Sequence, residues 1–294
     1  MRTPNRKKTT ESITGFLFIS PWLFIFLTFI LFSLGYALYL SITRYDLLSA
    51  PQLWGLKGYQ RVLTDSLFLT KALPNTFKYV LIVVPIQTAV SLVLAFAMDQ
   101  KLRMRRLFRT IFYLPSVTSS VVISLIFVWM FAAQGIFNQI IGTNINWLNN
   151  VTTAFYVIMG MNIFTTSGTL MLIFLSGLQD IPETLYEAAR IDGADSPQIF
   201  RYITIPMLRP VIFFVVTVGV IGCFQVFDQI YVMTAGGPLD STTTITYLIY
   251  KWAFRDTTVK MGQASALAII LTLIILAVTL LQRRLIEGSG SSNQ

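Results

Sequence analysis

The stretch "EAARIDGADSPQIFRYITIPMLRP", residues 187–210, decides the fold of this chain. It carries four acidic or basic side chains before its first proline, whereas the sequence on either side of it is almost continuously apolar. Apolar runs of about 20 residues have the length needed to cross a bilayer. A polar, helix-forming segment between two such runs therefore predicts a folded loop at a membrane surface.

This polar stretch and the residues before it have the sequence signals of two short helices. Asp180 is placed to cap the first helix, with Glu183 completing an Asp-x-x-Glu capping box. Gly193 is placed to take the left-handed conformation that ends a helix. Ser196, followed by a proline, is of the type preferred at the start of a second helix. We predict two helices that meet at a sharp angle within residues 179–209.

The residues of this loop leave two interpretations open, an ordinary connector at the lipid surface and a docking site for another protein. Its polar faces lack the enrichment in Lys and Arg that is typical of helices lying on lipid. Ala188 and Ala189 are small side chains next to Glu187, a combination that suits close docking of another protein.

The composition indicates a membrane protein. Among 294 residues, 54% are hydrophobic and 12% are charged, with a mean hydropathy of +0.67. Soluble domains carry about twice that charged fraction. The absence of histidine excludes His-based general bases and His metal ligands, and we predict neither a catalytic residue nor a metal site. The single cysteine, Cys223, has no partner for an internal disulfide.

Six apolar runs have the length of membrane spans. We predict an all-α membrane protein with transmembrane helices at residues 16–42, 77–98, 111–133, 152–178, 211–233 and 259–281. The first run is too long for a signal peptide and lacks a small-residue cleavage site, so it is predicted to be retained. The predicted parts of the chain are an N-terminal segment at 1–15, a transmembrane domain at 16–284 and a flexible tail at 285–294.

Basic residues in the connections predict the orientation of the spans. Lys and Arg concentrate before the first span, in the second connection and after the last span, whereas the third connection has none; they are Arg2, Arg6, Lys7, Lys8, Lys101, Arg103, Arg105, Arg106, Arg109, Arg283 and Arg284. Positive loops face the cytoplasm, so both termini and the 179–209 loop are predicted to be cytoplasmic. The net charge of +9 is thus mainly a topology signal, and we predict no nucleic-acid partner.

Several classes of mechanism are disfavoured by what the sequence lacks. No G-x-x-x-x-G-K-[ST] motif is present, so any ATP that drives the protein must be hydrolysed by another polypeptide. Only Asp228 is an ionisable residue clearly within a predicted span, whereas a proton-coupled carrier normally keeps several. The sequence shows no inverted repeat of broken helices either. An ion-coupled secondary carrier is therefore the less favoured alternative.

Polar residues in the fourth and fifth spans are the candidates for binding a solute. Amides, hydroxyls and aromatic faces together suit a sugar, although Ser, Thr and Gly are also common where membrane helices pack. We expect Gln225, Asp228 and Tyr231, spaced by three, to share one helical face that lines the path, with Asp228 able to fix the turn that follows. The candidate residues are Asn162, Thr166, Thr169, Gly219, Cys223, Gln225 and Asp228.

Four stretches carry a resemblance to a known family. The string "LSGLQDIPETLYEAARIDGADSPQIFRYITIPMLRPV" resembles the EAA loop of permease subunits of bacterial ABC importers, in particular the maltose-type carbohydrate-uptake permeases. "NTFKYVLIVV", "FRTIFYLPSVTSSVVISLIFVWMF" and "FQVFDQIYVMTAGGP" are similar to the same subfamily. The 43–76 connection is too short for the periplasmic domain of the maltose permease, so the chain resembles the shorter, six-span form.

The resemblance implies a type I importer permease fold and roles for individual residues. The EAA helix is implied to dock on a cytoplasmic ATPase, through Glu187, Ala188, Ala189, Asp192 and Gly193. The implied solute positions match roughly Thr166, Thr169, Gly219, Cys223 and Val226, of which the last two stand where the maltose permease has polar residues. The implied contact with the solute-binding protein is the turn formed by Gly236, Gly237 and Pro238.

The resemblance also implies the assembly and the location. The partners are a second homologous permease subunit, two ATPase subunits, a periplasmic or lipid-anchored solute-binding protein, a sugar-like solute and membrane lipid. ATP and Mg are expected on the ATPase, with no cofactor in this chain, which is expected in the inner membrane. A permease for a non-sugar solute such as glycerol phosphate is the alternative within the same family.

Overall fold

The computed structural model describes residues 6–100 and 103–287, with side chains for 14–100 and 103–284. The described residues are mostly helical and include one short hairpin, and the chain divides into two compact units. The first unit comprises residues up to 62 together with 252–269, and the second comprises 63–251 with the residues after 269.

The first unit begins with a long apolar helix. The unit contains α1 (Arg6–Ile25), a π-helical turn (Phe26–Leu31), α2 (Phe32–Ser41), β1 (Thr43–Arg44), β2 (Gln52–Leu53) and most of α3 (Lys57–Thr64). Residues Thr14–Ser41 are long and apolar enough to cross a membrane, and the most apolar window of this segment is 0% buried within the chain. Its side chains are therefore left to lipid or to another subunit.

The second unit holds the packed core. It contains a π-helical turn (Phe68–Ala72), α4 (Leu73–Asp99), α5 (Arg105–Val117), α6 (Ser120–Met130), α7 (Ile136–Ile141), α8 (Ala154–Gln179), α9 (Glu183–Ile191), α10 (Ser196–Ile199), a second such turn (Phe200–Thr204), α11 (Ile205–Met207), α12 (Arg209–Phe224), α13 (Asp228–Met233) and α14 (Ile245–Tyr250). A last π-helical turn (Lys251–Arg255) and α15 (Met261–Glu287) continue into both units. The core is built mainly from α4, α8 and α12, around Phe174, Met171 and Val215, none of which is exposed.

Two of the six predicted spans are broken, so the prediction of continuous helices at 111–133 and 211–233 is wrong. Helices α5 and α6 meet at 97° across Thr118 and Ser119, both of which have extended backbone. Helix α12 ends at Phe224, and it bends by 66° from the 196–207 segment that precedes it. Among the described residues, four helices are long and apolar enough to cross a membrane, and the number rises to as many as six when each bent pair counts as one span.

The polar loop forms two helices as predicted, but two of its caps differ from the prediction. Pro182, with no side-chain hydrogen bond, is the N-cap of α9, because Asp180 is taken up as the C-cap of α8. Asp195, not Ser196, caps α10, in a capping box with Gln198. Gly193 has the predicted left-handed backbone, with φ of +83°. Of the predicted N-terminal segment 1–15 and the predicted tail 285–294, residues 1–5 and 288–294 lie outside the described residues.

The contact between α8 and α12 depends on a glycine. A Cβ atom on Gly177 would lie 2.7 Å from Val211 Cγ2 and 3.1 Å from Leu208 Cδ2. We predict that Gly177→Ala destabilises the protein by about 1–3 kcal/mol, because extra volume in a packed core forces its neighbours apart. Thermal unfolding of the detergent-solubilised protein measures the effect.

Gly160→Ala is the matched control for this substitution. Gly160 lies in the same helix, and a Cβ atom there would meet no atom within 4 Å. We expect Gly160→Ala to leave the unfolding temperature unchanged or to raise it, because alanine favours helix over glycine. Equal unfolding temperatures for the two variants would contradict the packing role of Gly177.

Candidate functional site

The first candidate site is the elbow formed by α9, Gly193 and α10. The backbone N–H of Ala194 donates to Ala189 O at 2.9 Å, and that of Gly193 donates to Arg190 O at 3.1 Å. This pair of bonds is a Schellman motif, which satisfies carbonyls at the end of α9. Glu183 in the first turn and Arg190 in the last also complement the helix dipole.

Helix α9 exposes the residues predicted to couple to an ATPase. Glu187, Ala188, Asp192 and Gly193 are exposed and Ala189 is half-buried, so all five belong to one accessible elbow. The exposed surface includes an apolar side chain, since Ile191 is 86% exposed.

The second candidate site is a pair of adjoining cavities in the second unit. The first cavity, of about 380 Å³, lies between α4, α8, α12 and the start of α13, and six of the seven predicted solute residues line it: Asn162, Thr166, Gly219, Cys223, Gln225 and Asp228. The second cavity, of about 330 Å³, is lined by Thr169, the seventh. The two share Thr166, Leu170, Val218 and Gln229, so they adjoin.

A buried amide on α4 organises the first cavity. The Thr166 hydroxyl lies 2.8 Å from Gln87 Oε1 and 2.7 Å from Asn162 O, and it shares its one proton between these two acceptors. Gln87 is 1% exposed, and its Nε2 lies where a side chain at Gly219 would be. Glycine at 219 therefore makes room for the amide that fixes the position of Thr166.

Asn162 is the most deeply placed polar group of the predicted set. Its Nδ2 donates to the Tyr79 hydroxyl at 2.7 Å, in a part of the cavity wall where Asn162 is 6% exposed. Its Oδ1 is buried and has no hydrogen-bond partner. A buried acceptor without a donor costs free energy.

The break after α12 overturns the predicted helical stripe. Gln225 is the C-cap of α12 and Asp228 is the first residue of α13, so the two residues do not lie on one helix face. Both nevertheless line the first cavity, whereas Tyr231 packs against Phe227, with ring centroids 5.5 Å apart. The described partner of Asp228 is the Ser120 hydroxyl, which donates to Oδ2, and this bond connects α6 with α13.

The predicted binding-protein turn is held firmly in place. Gly236 is buried, and a Cβ atom there would lie 2.5 Å from Tyr247 Cε1. Asn75 Nδ2 donates to Ser241 O and to Thr243 O at 3.0 Å each, which ties the turn to α4. Gly237 and Pro238 are half-buried, and the most exposed side chain beside them is Leu239, at 82%.

Comparison with known proteins assigns the family. Residues 87–288 match the family described as "Binding-protein-dependent transport system inner membrane component". That match covers more than half of the chain. The chain belongs to this family of ABC importer permeases.

Relatives of the permease match it over nearly its whole length. It is 34% identical to the probable ABC transporter permease protein YesP of Bacillus subtilis, over 94% of this chain and 91% of that protein. It is also 34% identical to the lactose transport system permease protein LacF of Rhizobium radiobacter, over 96% of this chain and 97% of that protein. The fold is similar to that of a bacterial alginate ABC transporter, solved in complex with an alginate pentasaccharide-bound periplasmic protein, with a TM-score of 0.81, 20% identity and 95% coverage of both chains.

Some cavity residues of the permease were not predicted from its sequence. Gln87, Ser116, Thr118, Ser120 and Gln229 line the cavities beside the predicted residues. The run of hydroxyl residues in "PSVTSS", residues 115–120, was the available signal, because a proline followed by four Ser or Thr residues within a span marks a broken helix.

The packing of Gly219 against Gln87 gives a prediction. A Cβ atom on Gly219 would lie 2.6 Å from Gln87 Nε2. We expect Gly219→Ala to displace the amide, break its bond with Thr166 and destabilise the permease by about 1–3 kcal/mol through the polar groups left unsatisfied. Adding Gln87→Ser should restore the thermal stability, because the shorter side chain removes the clash.

Gly222→Ala is the stability control. Gly222 lies one turn further along α12, and a Cβ atom there would meet no atom within 4 Å. Unfolding temperatures of the single and double variants are compared with it. The proposed contact is refuted when Gly219→Ala and Gly222→Ala unfold at the same temperature.

Proposed function

We propose that this permease imports a neutral carbohydrate, namely a disaccharide, an oligosaccharide or a glycosylated polyol, and forms half of its path across the membrane. The observation that carries the proposal is the chemistry of the two adjoining cavities, which present amides and hydroxyls. Such groups form hydrogen bonds with sugar hydroxyls. The lactose permease named among the relatives supports the same solute class.

The lining of the cavities disfavours a phosphorylated solute. Phosphate is recognised by Arg or Lys, because charge-assisted hydrogen bonds are the strong ones. Among the described residues that line the two cavities, none is basic and one, Asp228, is acidic. Glycerol phosphate would therefore meet acceptors and a negative charge, whereas a neutral polyol would not be repelled.

An ion-coupled carrier is also less well supported. Ion-coupled carriers place acidic or basic groups along their path, since these must bind and release the ion. The one carboxylate on the described cavity walls, Asp228, accepts a hydrogen bond from Ser120 at a helix junction. This bond gives it a role in holding α6 and α13 together.

We infer that the elbow is the coupling element for a separate ATPase. Its support is the accessible α9, with Glu187 on the surface, and the hydrogen bonds within the chain that satisfy the end of α9 and the start of α10. The proposed assembly has a second homologous permease, two ATPase subunits that bind ATP and Mg, and an external solute-binding protein that meets the turn around Pro238. Both termini and the elbow are then cytoplasmic, as the basic residues around them favour.

In this assembly, ATP and solute are coupled through two states of the permease. Closing of the ATPases moves the elbows, and the cavity opens outward to receive the solute from the binding protein. ATP hydrolysis returns the cavity to the inward-facing state. The coupling is allosteric because the two ligands bind at separate sites and bias one two-state element.

Uptake by the reconstituted complex tests the solute class. The complex, with its binding protein, is assayed in proteoliposomes with labelled neutral sugars and with glycerol 3-phosphate. We expect ATP-dependent uptake of a neutral sugar, and we expect Gln225→Leu to reduce it by about tenfold, as lost hydrogen bonds predict. Asp228→Asn should have a smaller effect, because the amide still accepts from Ser120.

Two outcomes would overturn this proposal. Uptake of glycerol 3-phosphate without any neutral sugar would contradict the solute class, and uptake driven by a proton gradient without ATP would contradict the ABC mechanism. The affinity of the binding protein for the sugar should be the same with either permease variant, since the substitutions lie in another subunit.

The conformation of Gly193 gives the prediction for coupling. Valine at 193 cannot take a φ of +83° without strain of about 1–2 kcal/mol, so α9 loses its present ending. We expect Gly193→Val to insert in the membrane normally while solute-stimulated ATPase activity falls. Glu187→Lys should have the same effect by reversing a charge on the docking surface.

Gly193→Asn is the matched control, because asparagine tolerates the left-handed region. Its solute-stimulated ATPase activity should stay close to that of the wild type. If the Gly193→Val complex shows the same solute-stimulated ATPase activity as the wild type, the proposed coupling role of the elbow is refuted.

A further inference from the structure

The short hairpin of the first unit carries an exposed apolar surface. Strands β1 and β2 pair antiparallel, with Thr43 opposite Leu53. Exposed leucines follow one another within the ten residues from 47 to 56, and we call them the hairpin leucines: Leu47, Leu48, Leu53 and Leu56. The side chain of Leu48 is 96% exposed. Exposed apolar side chains grouped in this way indicate a surface that another molecule or a membrane covers.

The hairpin lies where two candidate spans end. The span Thr14–Ser41 ends two residues before β1, and the span Met261–Arg284 begins where the hairpin packs. The Gly262 N–H donates to Tyr45 O at 3.3 Å, and a Cβ atom on Gly262 would collide with Thr43 O. The ends of spans lie at the level of the lipid head groups, where Trp and Tyr are enriched. The hairpin is therefore placed at the membrane surface.

A polar pocket of about 160 Å³ lies between the hairpin, α3 and the start of α15. Three basic side chains line it, Arg44, Arg61 and Lys260, together with one acidic side chain, Asp46. Arg44 and Lys260 are exposed, and neither takes part in the ion pairs that the described residues form. Asp46 Oδ1 accepts from the Ser49 N–H at 2.9 Å and from the Ser49 hydroxyl at 2.7 Å, so it serves the hairpin turn. The pocket is thus positively charged.

The side chains of this pocket suit the phosphate of a phospholipid. Arg and Lys recognise phosphate through charge-assisted hydrogen bonds. The Arg61 guanidinium lies over the Trp54 ring, with Cζ 4.5 Å from the ring centroid, and Tyr45 lines the same pocket. A free phosphate ion would leave the neighbouring leucines in water, whereas a lipid also supplies acyl chains that cover them. The combination of cations with leucines therefore favours a lipid.

The topology signal does not account for these cations. In the proposed orientation the hairpin is external, yet the connection after the first span carries Arg44, Lys57 and Arg61. Lys and Arg are normally enriched in cytoplasmic connections. A local role at the outer surface explains why they are kept here.

We propose that the hairpin is an outer-leaflet lipid site: the hairpin leucines enter the acyl region, and the pocket binds the phosphate of an anionic phospholipid. The inference goes beyond the proposed function, because it is independent of the solute and takes from it only the external side of the hairpin. A zwitterionic lipid brings an ammonium group that the three cations repel. We therefore expect the site to prefer phosphatidylglycerol to phosphatidylcholine.

Fluorescence quenching tests the position of the hairpin leucines. The complete complex carrying Leu48→Cys is reconstituted in liposomes and labelled with a membrane-impermeant maleimide fluorophore. The native Cys223 is buried, and the complex without the added cysteine gives the background labelling. We expect a nitroxide near the top of a lipid acyl chain to quench the fluorophore more strongly than aqueous iodide does.

The selectivity for lipid tests the pocket. Phosphatidylglycerol or phosphatidylcholine, each with the same nitroxide, is titrated into phosphatidylcholine liposomes that contain the labelled complex. We expect the association constant from quenching to be about fivefold higher for phosphatidylglycerol, as the attraction of basic side chains for anionic lipid predicts. The double variant Arg44→Gln, Lys260→Gln should reduce this preference to about one.

Lys57→Gln is the matched control. Lys57 is an exposed basic residue of α3 that does not line the pocket, so its removal should leave the preference unchanged. The exchange Arg44→Lys, Lys260→Arg keeps both charges and should also keep the preference. Unfolding temperatures identify any misfolded variant. If the double variant is unstable, Lys260→Gln alone is measured and should lower the preference in part.

Four results would overturn the lipid site. The first is quenching by iodide without quenching by lipid. The second is a preference that is absent in the wild type or retained in the folded variant lacking the cations. The third is loss of the preference on adding inorganic phosphate at matched ionic strength, which indicates a site for the free ion. The fourth is protection from iodide only when the binding protein is added, which assigns the surface to that protein.

These measurements separate the lipid site from the proposed function. Quenching is recorded without sugar or ATP, so each of the four results leaves sugar import standing. Conversely, a complex that transports no sugar can still show the preference for phosphatidylglycerol.

Discussion

Hydrocarbon offers the peptide backbone no hydrogen-bond partners, so a membrane-spanning chain must supply them wherever its helices break. This permease breaks one span at residues 118–119 and another at 225–227. At the second break, the hydroxyls of Thr244 and Thr246 donate to Val226 O and Phe224 O. Three residues at the breaks, Thr118, Ser120 and Asp228, also line the cavities and contribute to their polarity.

The same requirement explains why a few polar contacts fix the arrangement of several helices. The Ser120–Asp228 bond connects one broken span with the other, and Gln87 connects α4 with α8 through Thr166. Apolar packing is non-directional, whereas a hydrogen bond fixes the positions of its two partners. The polar pairs therefore select one arrangement, as buried polar groups do in other helical assemblies.

Hydropathy identified the six apolar runs but not the helix breaks. It measures how readily side chains transfer from water into an apolar phase, and it carries no information about which groups form hydrogen bonds with the backbone. Gly193 was predictable, since a glycine after a charged helix has a local reason to be there. The predicted caps at Asp180 and Ser196 were wrong. Helix α8 extends to Gln179 and takes Asp180 as its C-cap, and Asp195, one residue before Ser196, caps α10 in a capping box with Gln198. A lone amide such as Gln87 has no periodic signal, and its partner becomes visible only when α4 and α8 pack.

The ends of the two elbow helices have a thermodynamic consequence. The Schellman motif after α9 and the capping box before α10 satisfy the backbone without any partner protein. A partner that binds the elbow thus meets a surface that is already ordered, and binding does not have to offset the entropy of folding it. Free energy released at such a contact is therefore not spent on folding the elbow, and it remains available to shift the helices that follow.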